Sequence, residues 1–191
     1  RPDVLLLDEP ASSADRAAAG ALFRVLAEER AARGLAVCVA SHQLEDAYRW
    51  ADDIRSLADG RLSPVTPENV FRVDLPYGGA GAAEDGTGLL KHVRVGEAEI
   101  AVVTDRAGPA VIAVPPTDIV VSREALPSSA RNVFQGRVIR LAAQRPGVVH
   151  VSADVGVELI AVVTAEAAQD LALSPGSPVV FAFKASAVQV F

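Results

Sequence analysis

Val95-Gly96-Glu97-Ala98-Glu99-Ile100-Ala101-Val102-Val103-Thr104 returns sixty residues later as Val155-Gly156-Val157-Glu158-Leu159-Ile160-Ala161-Val162-Val163-Thr164, with seven of ten positions identical. Two further strings accompany it in the same order. Asn69-Val70-Phe71 returns as Asn132-Val133-Phe134, and Val111-Ile112-Ala113-Val114 returns in character as Val180-Phe181-Ala182-Phe183. Three collinear matches read as two copies of one small unit. From Leu89 onward the sequence is Val-rich, alternating and punctuated by Gly and Pro, which is all-β texture. The second half is therefore expected to be a duplicated β module, with a first unit over 89–127 and a second over 128–191.

Upstream the texture changes. Val4-Leu5-Leu6-Leu7 is a continuous apolar run, expected as a strand buried on both faces of a parallel sheet. Asp15 can cap a helix from about Arg16 to Arg33, with Gly34 as its stop. Leu35 to Ala40 reads as a second buried strand, with Cys38 as core packing and Ser41 capping a short helix over Gln43–Ala51. Ile54 to Leu57, Asp59-Gly60 and Arg61-Leu62 read as a hairpin edge. Strand, helix, strand, helix is an α/β pattern, assigned to residues 1–62. Residues 63–88 read as a helix start at Thr66-Pro67-Glu68 followed by a flexible Gly/Ala-rich linker.

Composition narrows the function. Half of the 191 residues are hydrophobic, enough for a packed core, and no run approaches the roughly 18 apolar residues of a spanning helix. No charged-then-apolar leader opens the chain, and the single Cys38 fits a reducing compartment. The net charge of −6 argues against a nucleic-acid partner. The chain starts at Arg1 and lacks Met, which reads as a piece of a longer protein. Residues 128–191 carry 5 basic and 4 acidic side chains, and they are the only net-positive third.

Two candidate sites follow. Asp8 stands at the C-terminal end of the first strand, where open α/β sheets bind ligands, and a carboxylate there can hold Mg²⁺. Glu9 beside it can polarise an attacking water. The second site is Ser128-Ser129-Ala130-Arg131-Asn132 with Lys184-Ala185-Ser186. Hydroxyls, an amide, backbone N–H groups and two cations suit a tetrahedral dianion. The first copy lacks these groups: Pro115 and Pro116 fall where Lys184 and Ala185 do, and Glu68 stands where Arg131 does. The first copy therefore reads as degenerate.

The first 62 residues resemble the second half of an ABC-transporter ATPase domain, a P-loop NTPase of α/β class. Val4–Glu9 is similar to its Walker B strand, Ser12-Ser13-Ala14-Asp15 to its D-loop, and His42 after Val39-Ala40-Ser41 to its switch histidine. Ala14 departs from the family's usual Leu. The resemblance implies Asp8 serving Mg²⁺ of ATP, Glu9 as catalytic base, His42 contacting the γ-phosphate, and Asp15 signalling across an ATPase homodimer. No G-x-x-x-x-G-K-[ST] loop occurs, so this piece alone is expected not to hydrolyse ATP. Residues 128–191 resemble the small molybdate-binding Mop module of TOBE type, an OB-like β-barrel whose oxyanion sites form where two modules meet. That resemblance puts Ser129, Arg131, Asn132, Lys184, Ala185 and Ser186 near the anion. Together the two imply the ATPase subunit of a molybdate or tungstate importer, peripheral on the cytoplasmic face of the membrane. It would pair with a second copy of itself and with integral permease subunits, and the oxyanion would act as regulatory ligand. An importer of sugar, polyamine or iron with a purely regulatory tail is the alternative, and a stand-alone oxyanion store is a third reading. His92, His150 and Trp50 carry no assigned role.

Overall fold

The computed structural model describes residues 2–42, 44–58, 60–63, 69–77 and 89–191, and the chain divides into Arg1–Leu62 and Ser63–Phe191. In the first unit, β1 (Val4–Asp8) and β2 (Ala36–Ala40) pair in parallel, Val4 opposite Ala36 through Asp8 opposite Ala40. A parallel pair needs a crossover, and α1 (Arg16–Arg33) provides it. The Asp15 side chain accepts a hydrogen bond from Ala18 N–H at 2.8 Å, and Gly34 closes the helix at φ 67°, the left-handed conformation that glycine adopts without a Cβ clash. α2 (Leu44–Trp50) returns toward α1, and Trp50 stacks on Phe23 with centroids 6.4 Å apart. Ala11, Ala19 and Phe23 form a small core against which Leu26, Val39 and Trp50 pack. β3 (Ser56–Ala58) and β4 (Arg61–Ser63) pair as a two-stranded edge.

β1 is not buried on both faces. Val4 is 57% and Leu6 74% exposed, while Leu5 and Leu7 are half-buried. Cys38, opposite Leu6, is exposed rather than core. The reason is the sheet: among the described residues it has two strands, and only the Val39 side meets the helical core.

The second unit is mostly β and runs through the same order twice. The first pass is β5 (Asn69–Leu75), β6 (Leu90–Val95), β7 (Ala98–Val103), β8 (Gly108–Val114), a 3₁₀ turn (Pro116–Asp118) and β9 (Val120–Ser122). The second is β10 (Asn132–Arg145), β11 (Val148–Asp154), β12 (Glu158–Thr164), α3 (Ala165–Asp170), β13 (Pro178–Phe183), a 3₁₀ turn (Ala185–Ala187) and β14 (Gln189–Val190). The first repeat thus begins at β5, within the segment read as helix and linker. Its helix start at 66–68 and much of the Gly/Ala stretch lie outside the described residues.

The repeats exchange their last strands. β9 pairs with β13 of the second repeat (Val120 opposite Ala182), and β14 pairs with β8 of the first (Gln189 opposite Ala113). Phe191 and Val111 add a reciprocal pair of main-chain hydrogen bonds, at 2.9 and 3.2 Å. One core serves both: Ile100, Ile112 and Val114 lie in the same buried cluster as Val151, Leu159 and Phe181. The two hairpin turns touch, with Glu97 N–H donating to Gly156 O at 2.8 Å. A Cβ on Gly96, at φ 59°, would come 2.7 Å from that oxygen, so the contact requires glycine.

Candidate functional site

At the end of β1 the backbone turns sharply. Glu9 adopts φ 44°, a conformation that costs a non-glycine residue roughly 1–2 kcal/mol. Its N–H donates to Ala40 O at 2.9 Å, which fixes the turn against the end of β2. The carboxylate is thereby aimed at the residues following β2. Oε1 accepts from the His42 N–H at 3.0 Å and lies 2.8 Å from His42 Nδ1. Oε2 is buried and has no partner among the described residues. Asp8 is exposed, one residue before. Asp15 has a structural use, the α1 cap, where its side chain accepts from Ala18 N–H. The structure thus joins Glu9 to His42, leaves Asp8 open beside them, and sets Asp15 apart.

These residues fit one edge of a magnesium–nucleotide site. Mg²⁺ is usually held by one or two carboxylates plus phosphate oxygens and water, not by an all-protein cage. Asp8 meets the first need, and no cluster of three or more His, Cys, Asp or Glu exists among the described residues to suggest another metal.

In the second unit, two asparagines open the repeats. Asn132 is 1% exposed; its Oδ1 accepts from Ala101 N–H at 2.7 Å and its Nδ2 donates to Ala101 O at 2.9 Å. Asn69 does the same in reverse: Ile160 N–H donates to Oδ1 at 2.6 Å, and Nδ2 donates to Ile160 O at 2.9 Å. Each amide thus mimics a strand edge and ties its own repeat to the hairpin of the other. The partners Ala101 and Ile160 are one position out of step with the sequence match, which pairs Ala101 with Ala161. The hairpins explain the slip: Val95 pairs Ala98 across a two-residue turn, whereas Asp154 pairs Glu158 across three.

Asn132 opposite Phe183 is the last pair of the β10–β13 ladder. Arg131 precedes the one and Lys184 follows the other, so the register delivers both cations to one corner. Ser129, Arg131, Lys184 and Ser186 are exposed there, and Ala185 is buried in the 3₁₀ turn that packs against β7 of the first repeat. The corner therefore lies on the seam between repeats. Of the six residues expected there, Asn132 differs in kind: both ends of its amide are engaged by Ala101.

Sequence reasoning gave roles to neither Asn69 nor Lys91. Lys91 is 4% exposed and donates to the Arg106 carbonyl. His150, also buried, has its pKa pushed below the ordinary imidazole value by desolvation, and its Nδ1 has no partner among the described residues. The recurrence of Asn69-Val70-Phe71 was the available signal for the first; the burial of the other two follows from the shared core and leaves no local mark.

Residues 128–190, the second of the duplicated β units, match the TOBE domain family. Over nearly its whole length the chain is similar to import ATP-binding proteins. It is 31% identical to the molybdenum import ATP-binding protein ModC of Mycobacterium tuberculosis (strain H37Rv), covering 98% of this chain and 54% of that protein. It is 27% identical to the molybdate/tungstate import ATP-binding protein WtpC of Pyrococcus horikoshii, covering 100% and 57%. The chain spans about half the length of these curated relatives. Among solved structures, the cytoplasmic molybdate-binding protein ModG, crystallised with molybdate bound, is similar in fold. The match has a TM-score of 0.52 and 23% identity, covering 67% of this chain and 98% of that one.

Proposed function

We propose that this chain is part of the ATP-hydrolysing subunit of an importer for molybdate or tungstate, with a C-terminal module that senses the oxyanion. The observation that carries the reading is the pairing of an ATPase-like edge, Asp8, Glu9 and His42, with a basic corner, Arg131 and Lys184, in one chain. Its similarity to ModC and WtpC over nearly all its residues supports the same cargo class. The whole protein works as a homodimer with integral permease subunits, peripheral at the cytoplasmic face of the membrane. Among the described residues no helix is long and apolar enough to cross a membrane.

Bound magnesium–ATP supplies an electrophilic γ-phosphoryl group and partial neutralisation of its charge. Asp8 would hold the metal. Glu9, anchored through Oε1 to residue 42, would take the proton of an attacking water. His42 is held by the same carboxylate at the rim, where it can donate to a phosphate oxygen. Asp15 keeps its place at the start of α1 and signals across the dimer. In the module, Ser129, Arg131, Lys184, the Ala185 N–H and Ser186 form the donor set for the anion, with Asn132 holding the first repeat's β7 against them.

Titration calorimetry on the 191-residue chain tests the cargo. Molybdate or tungstate should bind and sulfate should bind more weakly; no oxyanion binding would favour the importer of sugar, polyamine or iron. In the full-length protein, Glu9→Gln should retain ATP and lose hydrolysis, and unchanged hydrolysis would remove Glu9 as base.

A further inference from the structure

At the end of the β10–β13 ladder remote from Lys184, Arg137 stands opposite Pro178. The strand from Pro178 to Phe183 puts about 17 Å between this end and the basic corner. The segment that joins the two repeats passes here. Ser122, opposite Val180, ends β9, and its Oγ donates to Glu124 O at 2.7 Å, which fixes the turn carrying Arg123 and Glu124. Arg123, Glu124, Gln135 and Arg137 line an open cavity of about 530 Å³ whose apolar floor is Val179 and Val180. Gly136 sits between two of the wall residues. A Cβ there would collide with Asp154 O, so β10 lies flush on that backbone, and Gln135 and Arg137 emerge on the opposite side.

Both guanidiniums are anchored and neither is neutralised. Arg137 Nη1 donates to Gly176 O at 2.9 Å, and Arg123 Nη1 donates to Leu171 O at 3.1 Å. Main chain thus orients each group while most of its five N–H donors stay uncommitted. Arg30, Arg33, Arg55 and Arg140 each have a carboxylate partner; among the described residues Arg123 and Arg137 have none. Glu124 lines the same cavity unpaired, so two cations face one anion. We infer that this cavity is an anion site separate from the basic corner, and that it takes a small organic diacid. Each guanidinium receives one carboxylate as a fork-to-fork pair, the geometry that suits arginine, and the carbon skeleton lies on the valines. The volume is that of a small-molecule site, roughly 300–1,000 Å³, with room for two acidic groups. A diacid held by Arg123 and Arg137 ties the segment between the repeats to β10 of the second.

Titration calorimetry with sodium succinate on the 191-residue chain, at fixed ionic strength, should give one site per chain. Arg123→Gln and Arg137→Gln, both at exposed positions, should each weaken that binding by roughly 10- to 100-fold, with circular dichroism reporting the β content. Arg94→Gln, at an exposed arginine of β6, should leave it unchanged, and sodium molybdate should not displace succinate. No succinate binding would overturn the inference. So would unchanged affinity in folded Arg123→Gln and Arg137→Gln, equal weakening by Arg94→Gln, or displacement by molybdate.

Discussion

The two units of this chain bury their strands by different means. In Arg1–Leu62 the parallel strands keep one face against a core of Ala11, Ala19 and Phe23 and leave Val4 and Leu6 in the open. In Ser63–Phe191 two repeats interlock, and residues such as Ile100, Ile112, Phe181 and Val151 are wholly withdrawn from water. Burial at about 25 cal/mol per Å² is the main source of stability, so the second unit holds its own fold and the first has stabilising surface still unused. Similar apolar content thus yields unequal burial, because what counts is the partner surface each strand meets.

The contrast can be broken by experiment. Trp50 is the only tryptophan and lies in the first unit, so its emission reports that unit, while far-UV circular dichroism is dominated by the β module. In urea the Trp50 transition should precede the circular dichroism transition; coincident transitions would contradict the contrast. The largest single effect expected is Ile112→Ala, which opens a cavity in the shared core and should lower the stability of the β unit by about 2–5 kcal/mol. Asn132→Ala strands the buried N–H and C=O of Ala101, at about 1–3 kcal/mol for each group left unpaired, and should lower the circular dichroism midpoint alone.

A pH effect should follow. Desolvation holds His150 neutral in the fold with a lowered pKa, so the unfolded chain binds the proton first. Its contribution is fully present above the ordinary imidazole pKa of about 6.5 and is lost as pH falls from there toward the folded value, at up to about 1.4 kcal/mol per pH unit. The melting temperature of His150→Gln should therefore decline less steeply than that of the unmodified chain between pH 7 and 5. Parallel declines would remove the effect. Asp15→Ala deletes the α1 cap and should cost the first unit about 1 kcal/mol, seen in Trp50 emission. Smallest of all, Leu6→Ala should change the first unit's stability by no more than about 0.5 kcal/mol, read from Trp50 emission in urea, since the side chain is already in water.

Local signals were legible where chemistry is local. Asp15 and Gly34 marked the ends of α1 because a cap is settled within three or four residues. The duplication was legible, yet β5 was read as helix and linker; Pro67 and the glycines after Tyr77 outweighed the repeated Asn69-Val70-Phe71 that marked its start. The apolar run at Val4–Leu7 identified a strand but overstated its burial, because burial depends on neighbouring strands and not on the run itself. Asn132 suggested an anion ligand from residue type; only the fold shows that its amide is engaged by a hairpin of the other repeat. The Glu9–His42 contact joins residues 33 positions apart and depends on the turn at Glu9, which leaves no mark in either local string.

The exchange of β9 and β14 has a consequence for biosynthesis. The sheet of the first repeat is completed by Gln189 and Val190, which leave the ribosome more than seventy residues after β8 has emerged. Its outer edge stays unpaired through that interval, so translation through the second repeat is a period in which nascent chains on one message are exposed to mispairing with each other.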